Sequence, residues 1–237
     1  MSKSSSTSLI DKIQKKEARV GVIGLGYVGL PLAVEFAQVG YHVVGIDTDP
    51  SKVDTLNNGD CYIADIPTKI LRDMVSTGQL IATQNYGVIG ELDAISICVP
   101  TPLRKTRDPD MSYIVAATEK IGEHLRPSTV IILESTTYPG TTAELVLPIM
   151  LKNGYVVGED VFLAYSPERI DPANSTYGVR NTPKVIGGVT SVCADVAMAL
   201  YSTVVDQVVQ VSSTQAAEMV KLLENTFRAV NIGLVNE

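Results

Sequence analysis

A chain of 237 residues, 45% hydrophobic and 19% charged, is long enough to bury one generous core, or one core and the start of a second. Its net charge of −7 argues against nucleic acid or an anionic membrane face as partner, since both bind through basic patches that release counterions. Three widely spaced cysteines, Cys61, Cys98 and Cys193, form neither a disulfide framework nor a Cys-x-x-Cys metal site and fit a reducing cytoplasm, and no stretch reads as a signal peptide or a membrane span.

Residues 1–18 read as an N-terminal arm, partly disordered, in which Ser8 caps a short helix with Leu9, Ile10 and Ile13 on one face. From Arg19 the chain alternates short β-branched runs with segments of helical period, the pattern of a mostly parallel sheet covered by helices. Strands are expected at 20–23, 42–46, 80–83, 94–99, 130–134, 161–165, 184–186 and 204–209. Helices are expected at 28–38, 51–57, 68–76, 111–124, 141–152 and 192–201. The implied fold is α/β, a Rossmann-type doubly wound sheet spanning 19–210, with its ligand crevice at the carboxyl ends of the strands. Residues 211–237 read as the start of a second, helical domain: one long helix whose Met219, Leu222, Leu223, Phe227 and Val230 form an apolar stripe. No Gly or Pro stop signal closes that helix, so the polypeptide is expected to continue.

Gly24, Gly26 and Gly29 form a GxGxxG pattern after an apolar strand and at the start of a helix. Gly24 permits the tight turn, Gly26 lets the backbone approach a pyrophosphate, and Gly29 lets the helix lie close on the sheet. Tyr27 and Val28 lie within the same turn, where unpaired N–H groups and about half a positive charge from the helix dipole receive phosphate. An acidic residue, Asp47, ends the second strand and can accept hydrogen bonds from the adenosine ribose hydroxyls. A 2′-phosphate about 4 Å away would be repelled by about 4 kcal/mol at an effective dielectric near 20. NAD is therefore expected over NADP. Asp49 reads as the cap of the next helix, and Lys52 either reaches the ribose or is solvated.

The motifs GVIGLGYVGLPLA, GIDTDPSKVDTLNNG, ICVPTPL, ESTTYPGTT, YSPERIDP, KVIGG and EMVKLLENTFRAVNIGLVNE follow one another along almost the whole chain. Together they resemble the UDP-glucose, UDP-N-acetylglucosamine and GDP-mannose dehydrogenases, the nucleotide-sugar 6-dehydrogenases. That resemblance implies oxidation of a sugar primary alcohol to the uronic acid with two NAD, through a bound aldehyde and a thioester on a cysteine. Val99, Pro100 and Thr101 fall where the family lines the pyrophosphate and nicotinamide side of the cleft, although an ordinary strand exit would look the same. The loop 103–110, carrying Arg104, Lys105 and Arg107, has the length of a lid or is simply a solvated charge run.

By the same resemblance Thr136 lies near the nicotinamide and the catalytic water, and Glu168 does acid–base work during thioester hydrolysis. A carboxylate merely paired with Arg169 is the competing reading of Glu168. Lys221 stabilises the developing alkoxide, and Asn225, one helical turn on, positions water or the substrate hydroxyl. Where the UDP-glucose branch carries a second glutamate, this chain has Ile170-Asp171-Pro172, resembling the N-acetylhexosamine branch; UDP-N-acetylglucosamine is favoured, with UDP-glucose and UDP-N-acetylmannosamine as alternatives. The family's nucleophilic cysteine is expected beyond Glu237, so the chain itself is expected to bind NAD without turnover. The resemblance also implies a homodimer built on the C-terminal helix. Two other readings stay open, a stand-alone NAD-binding regulatory module and a hydroxyacid dehydrogenase of the phosphogluconate type. The segments ESTTYPGTT and YSPER argue against the latter.

Overall fold

A computed structural model describes residues 5–106, 108–169 and 178–237. Arg107 and the Ile170-Asp171-Pro172 pattern lie outside the described residues. Eight strands form one sheet: β1 (Arg19–Ile23), β2 (His42–Ile46), β3 (Leu80–Thr83), β4 (Ala94–Ile97), β5 (Thr129–Leu133), β6 (Val161–Tyr165), β7 (Lys184–Gly188) and β8 (Val208–Gln210). Their order is β3-β2-β1-β4-β5-β6-β7-β8. The first six in this order are parallel; β7 runs antiparallel to β6, and β8 is parallel to β7.

The alternation of side chains along each strand feeds two cores. On one face Val20, Val22, Val130, Ile132, Phe162 and Ala164 pack under α1 (Ser5–Gln14), α2 (Gly29–Gln38), α3 (Pro50–Asn57), α4 (Thr68–Ser76) and α7 (Ser191–Tyr201). On the other, Ile23, Ile95, Ile97, Ile131, Leu133 and Leu163 meet α5 (Ser112–His124) and α6 (Leu147–Lys152). Burial on both faces explains why β5 and β6 are apolar without alternation. This is a Rossmann-like doubly wound sheet.

The N-terminal arm packs against this body, with Leu9 and Ile13 buried. Asp93, at the base of β4, gathers the Lys12 ammonium at 2.7 Å, the Arg19 amide at 2.8 Å and the Arg126 guanidinium. Ser8 is no cap, because the helix is already under way at Ser5.

Two further departures from the expected elements have local causes. Val204 and Val205 are buried and return their amides to the Tyr201 carbonyl, closing α7 as a turn, so the last strand begins only at Val208. The helix expected at 141–152 opens as a π-turn over Thr142–Val146 before α6. Pro148 lacks an N–H and its ring crowds the carbonyl four residues back, at Glu144, which the wider turn relieves. The long helix α8 (Thr214–Asn236) turns its apolar stripe outward: Met219 is 51%, Leu223 66%, Phe227 70% and Val230 62% exposed.

The glycine-rich turn depends on contact distances that exclude a side chain. Gly24 has φ +91°, and a Cβ at Gly29 would lie 1.9 Å from the Gly24 carbonyl oxygen. Overpacking of this kind costs about 1–3 kcal/mol. Gly29→Ala is therefore expected to lower the unfolding free energy measured by urea titration by that amount; an unchanged value would show that the turn has room to yield.

Candidate active site

The strand order reverses between β1 and β4, and there the carboxyl ends of the strands open into a cleft of about 720 Å³. Its walls come from the end of β1 with Gly24, Gly26, Tyr27 and Val28, the end of β2 with Asp47, and α3 with Lys52. The exit of β4 adds Val99, Pro100 and Thr101, that of β5 adds Thr136, and that of β6 adds Glu168. Gly29 is buried behind the turn instead of lining it, a packing position.

A dinucleotide diphosphate fits the glycine-rich wall on two observations. A Cβ at Gly26 would meet no atom within 4 Å, so the absence of a side chain there leaves open space over the turn. Among the described residues, the amides of Gly26, Tyr27 and Val28 also meet no acceptor. These are the N–H groups that a helix start leaves unpaired.

Asp47 is buried and makes more contacts than its sequence position discloses. Its Oδ2 accepts from the Leu25 amide at 2.8 Å and pairs with the Lys52 ammonium at 3.2 Å, while Oδ1 accepts from the Asp49 amide at 3.0 Å. Lys52 is thus neither free in solvent nor alone at the site. Asp49 caps α3 through the Ser51 amide at 2.9 Å. Tyr62 donates to the Leu25 carbonyl at 2.5 Å, so the Leu25 residue is gripped from both sides.

At the other end of the cleft, Glu168 accepts the Arg169 amide on Oε1 at 2.7 Å. The Arg169 guanidinium turns away to Glu224 and the Pro183 carbonyl, which overturns the side-chain pairing of Glu168 with Arg169. Lys221 donates to the Glu168 backbone carbonyl. Burial pulls the Lys221 ammonium below its ordinary pKa, and the Glu168 charge opposes that shift. Asn225 is exposed on α8, and neither it nor Lys221 lines the cleft. Lys221 is in place because Glu218, one turn earlier and fully buried, accepts from Thr142 through its amide at 2.9 Å and its hydroxyl at 2.7 Å.

Residues 18–205 match the NAD-binding domain of the UDP-glucose/GDP-mannose dehydrogenase family. The chain belongs to this family. It is 37% identical over 224 residues to the UDP-N-acetyl-D-glucosamine 6-dehydrogenase of Pseudomonas aeruginosa, covering 94% of this chain and 52% of that protein. It is 38% identical over 228 residues to the UDP-N-acetyl-D-mannosamine dehydrogenase of Escherichia coli, covering 93% and 54%. The solved UDP-N-acetyl-mannosamine dehydrogenase Cap5O of Staphylococcus aureus superposes with a TM-score of 0.85 at 34% identity, over 92% of this chain and 53% of that one. The chain spans about half the length of the curated relatives it matches. As the NAD-binding part of this dehydrogenase family, it takes NAD as its cofactor.

Several lining residues escape sequence reading, among them Tyr86, Tyr113, Lys120 and Ser135. Tyr86 stands in the 3-10 turn Tyr86–Glu91, and Tyr113 and Lys120 share a face of α5. Nothing in their local pattern separates them from ordinary surface residues. Glu134 and Lys184 carried a signal that was passed over: each is a charge abutting an apolar strand run, and both are buried.

The preference for NAD over NADP can be tested on the chain itself. Calorimetric titration is expected to show tighter binding of NAD than of NADP. Asp47→Ala should weaken NAD and narrow the gap, because the buried carboxylate repels a 2′-phosphate while Lys52 partly offsets it. Equal affinities in the unaltered chain would contradict that role for Asp47.

Proposed function

We propose that the chain is the cofactor-binding half of a nucleotide-sugar 6-dehydrogenase that oxidises the primary alcohol of a UDP-N-acetylhexosamine to the uronic acid with two NAD. The observation that carries this reading is the convergence on one cleft of the glycine-rich turn, Asp47, Thr136 and Glu168, with Lys221 anchored to the Glu168 carbonyl. The N-acetylhexosamine dehydrogenases among the relatives support the sugar class. UDP-N-acetylglucosamine is the first candidate within it.

Bound NAD supplies the hydride acceptor. The chain's residues supply the rest of the half-site. Gly24, Gly26 and the amides of Tyr27 and Val28 receive the diphosphate, and Asp47 with Lys52 holds the adenosine ribose. The Thr136 hydroxyl donates or accepts a hydrogen bond at the β5 wall without adding charge. Glu168 takes and returns a proton at its carboxylate. The Lys221 ammonium stabilises the oxygen that becomes anionic as the alcohol proton leaves, and Asn225 orients water or the hydroxyl.

None of the three cysteines suits the nucleophile's part. Cys98 and Cys193 are buried, and burial pushes the Cys98 thiol well above its ordinary range. The Cys61 thiol is half-buried and donates to the Ile63 carbonyl at 3.3 Å. The chain alone therefore binds NAD and does not turn over UDP-sugars. Titration with NAD should give saturable heat, while incubation with NAD and UDP-N-acetylglucosamine should give no rise in NADH absorbance. Absence of NAD binding would sink the functional reading, and steady NADH formation would sink the assignment of the nucleophile elsewhere.

The outward stripe on α8 supports a homodimer in which a second copy covers it, since apolar burial contributes about 25 cal/mol per Å². Sedimentation at low micromolar concentration should report the dimer, and a monomer throughout would contradict it. The reducing environment that fits the three free cysteines supports a cytoplasmic site of action.

A further inference from the structure

At the wall of the cleft a buried polar cluster forms around Glu134. Glu134 follows β5 directly and is fully buried; its carboxylate pairs with the Lys184 ammonium through Oε2 and accepts the Tyr201 hydroxyl on Oε1. Tyr201, the last residue of α7, also shares a hydrogen bond with Ser96 of β4 at 3.1 Å. The Lys184 ammonium stands 5.0 Å from the centre of the Tyr201 ring. On its remaining side it faces Glu168 Oε2 at 3.6 Å.

Placing an ion pair in a core costs several kcal/mol per ion, and an apolar pair of similar volume often serves stability as well or better. The pair here is not isolated, because its cation lies between two carboxylates, Glu134 and Glu168, both of which line the cleft. Those carboxylates keep Lys184 protonated: burial acts to lower its pKa, and Glu134 and Glu168 together more than reverse this. The antiparallel entry of β7 beside β6 brings the start of that strand to the exit of β6, where Glu168 sits.

We propose that Lys184, held by Glu134 and Tyr201, is a positioning residue that fixes the Glu168 carboxylate at the wall of the cleft. One oxygen of Glu168 accepts from the Arg169 amide and the other faces this buried cation, so two contacts hold the carboxylate where the residue lines the cleft. Among the described residues, the charged and titratable groups around it include Lys184 from β7, Glu134 from the end of β5, Cys98 from the exit of β4 and Lys221 from α8. Of the two lysines, Lys221 is bonded to the Glu168 backbone carbonyl, while Lys184 faces the side chain. This proposal rests on the reading that Glu168 does the acid–base work.

Infrared spectra of chain carrying 13C-labelled glutamate test it at mildly alkaline pH. Subtracting the spectrum of the matching Glu168→Gln protein isolates the Glu168 carboxylate bands. In Lys184→Met these bands are expected to move from their wild-type position, and in Lys184→Arg to return towards it. Because Lys184→Met strands the buried Glu134 charge at a cost to folding, Glu134→Gln/Lys184→Met is measured beside it; the neutral pair keeps the volume and should show the same displacement. Bands that stay at the wild-type position in the folded Lys184 variants would overturn the proposal, since a lysine that merely neutralises Glu134 leaves Glu168 untouched. Calorimetry with NAD on the same proteins separates the two claims. Loss of NAD binding in the unaltered chain counts against the functional reading, whereas unmoved bands with NAD binding intact count against Lys184 alone.

Discussion

The Asp47 carboxylate reaches from the end of β2 to the Leu25 amide inside the glycine-rich turn, and the shape of the cofactor cleft depends on that bond. With Tyr62 on the Leu25 carbonyl, it fixes the peptide that precedes Gly26, so the amides of 26–28 are presented before any ligand arrives. The turn can sit this close to the exit of β4 only because Gly24 and Gly29 carry no Cβ. Preorganisation here means that the ordering cost falls on folding and not on binding. The same carboxylate that shapes the turn also lines the cleft, where it pairs with Lys52 at 3.2 Å.

A second constraint governs the far end. The exits of β4, β5 and β6 line this end, and the Ser135 hydroxyl on one of them donates to the Val99 carbonyl at 2.7 Å. The helix α8 joins this end through a polar face: Glu218 binds the start of the π-turn, Lys221 binds the Glu168 carbonyl, and Glu224 binds Arg169. An amphipathic helix normally lays its apolar side on its own domain. Here Ala217 and Val220 pack on the core beside these charged groups, while Met219, Leu223, Phe227 and Val230 are left exposed.

Much of this architecture is legible from local pattern. The strands at 42–46 and 161–165 fall where β-branched and aromatic runs put them, because a strand buried on both faces writes itself as a continuous apolar run, while the edge strand at 80–83 alternates in burial. The spacing of Gly24, Gly26 and Gly29 and the position of Asp47 anticipate most of the cofactor wall for the same reason, since these demands are local to one strand-turn-helix unit. What local pattern does not carry is pairing across the fold. The reversed direction of β7, the reach of Lys184 to Glu134 and Glu168, and the turning of Arg169 towards Glu224 join residues from 14 to 55 positions apart or depend on tertiary docking. Val204 and Val205 show the converse error, where strand-like residues serve instead as the apolar closure of a helix.

The account stands or falls on where the dinucleotide lies. The structure of the chain crystallised with NAD tests this most directly. It should show the diphosphate against the amides of Gly26, Tyr27 and Val28 and the adenosine ribose hydroxyls on Asp47, with the nicotinamide end towards Thr136. Electron density for the dinucleotide in any other place, or a ribose turned away from Asp47, would contradict it.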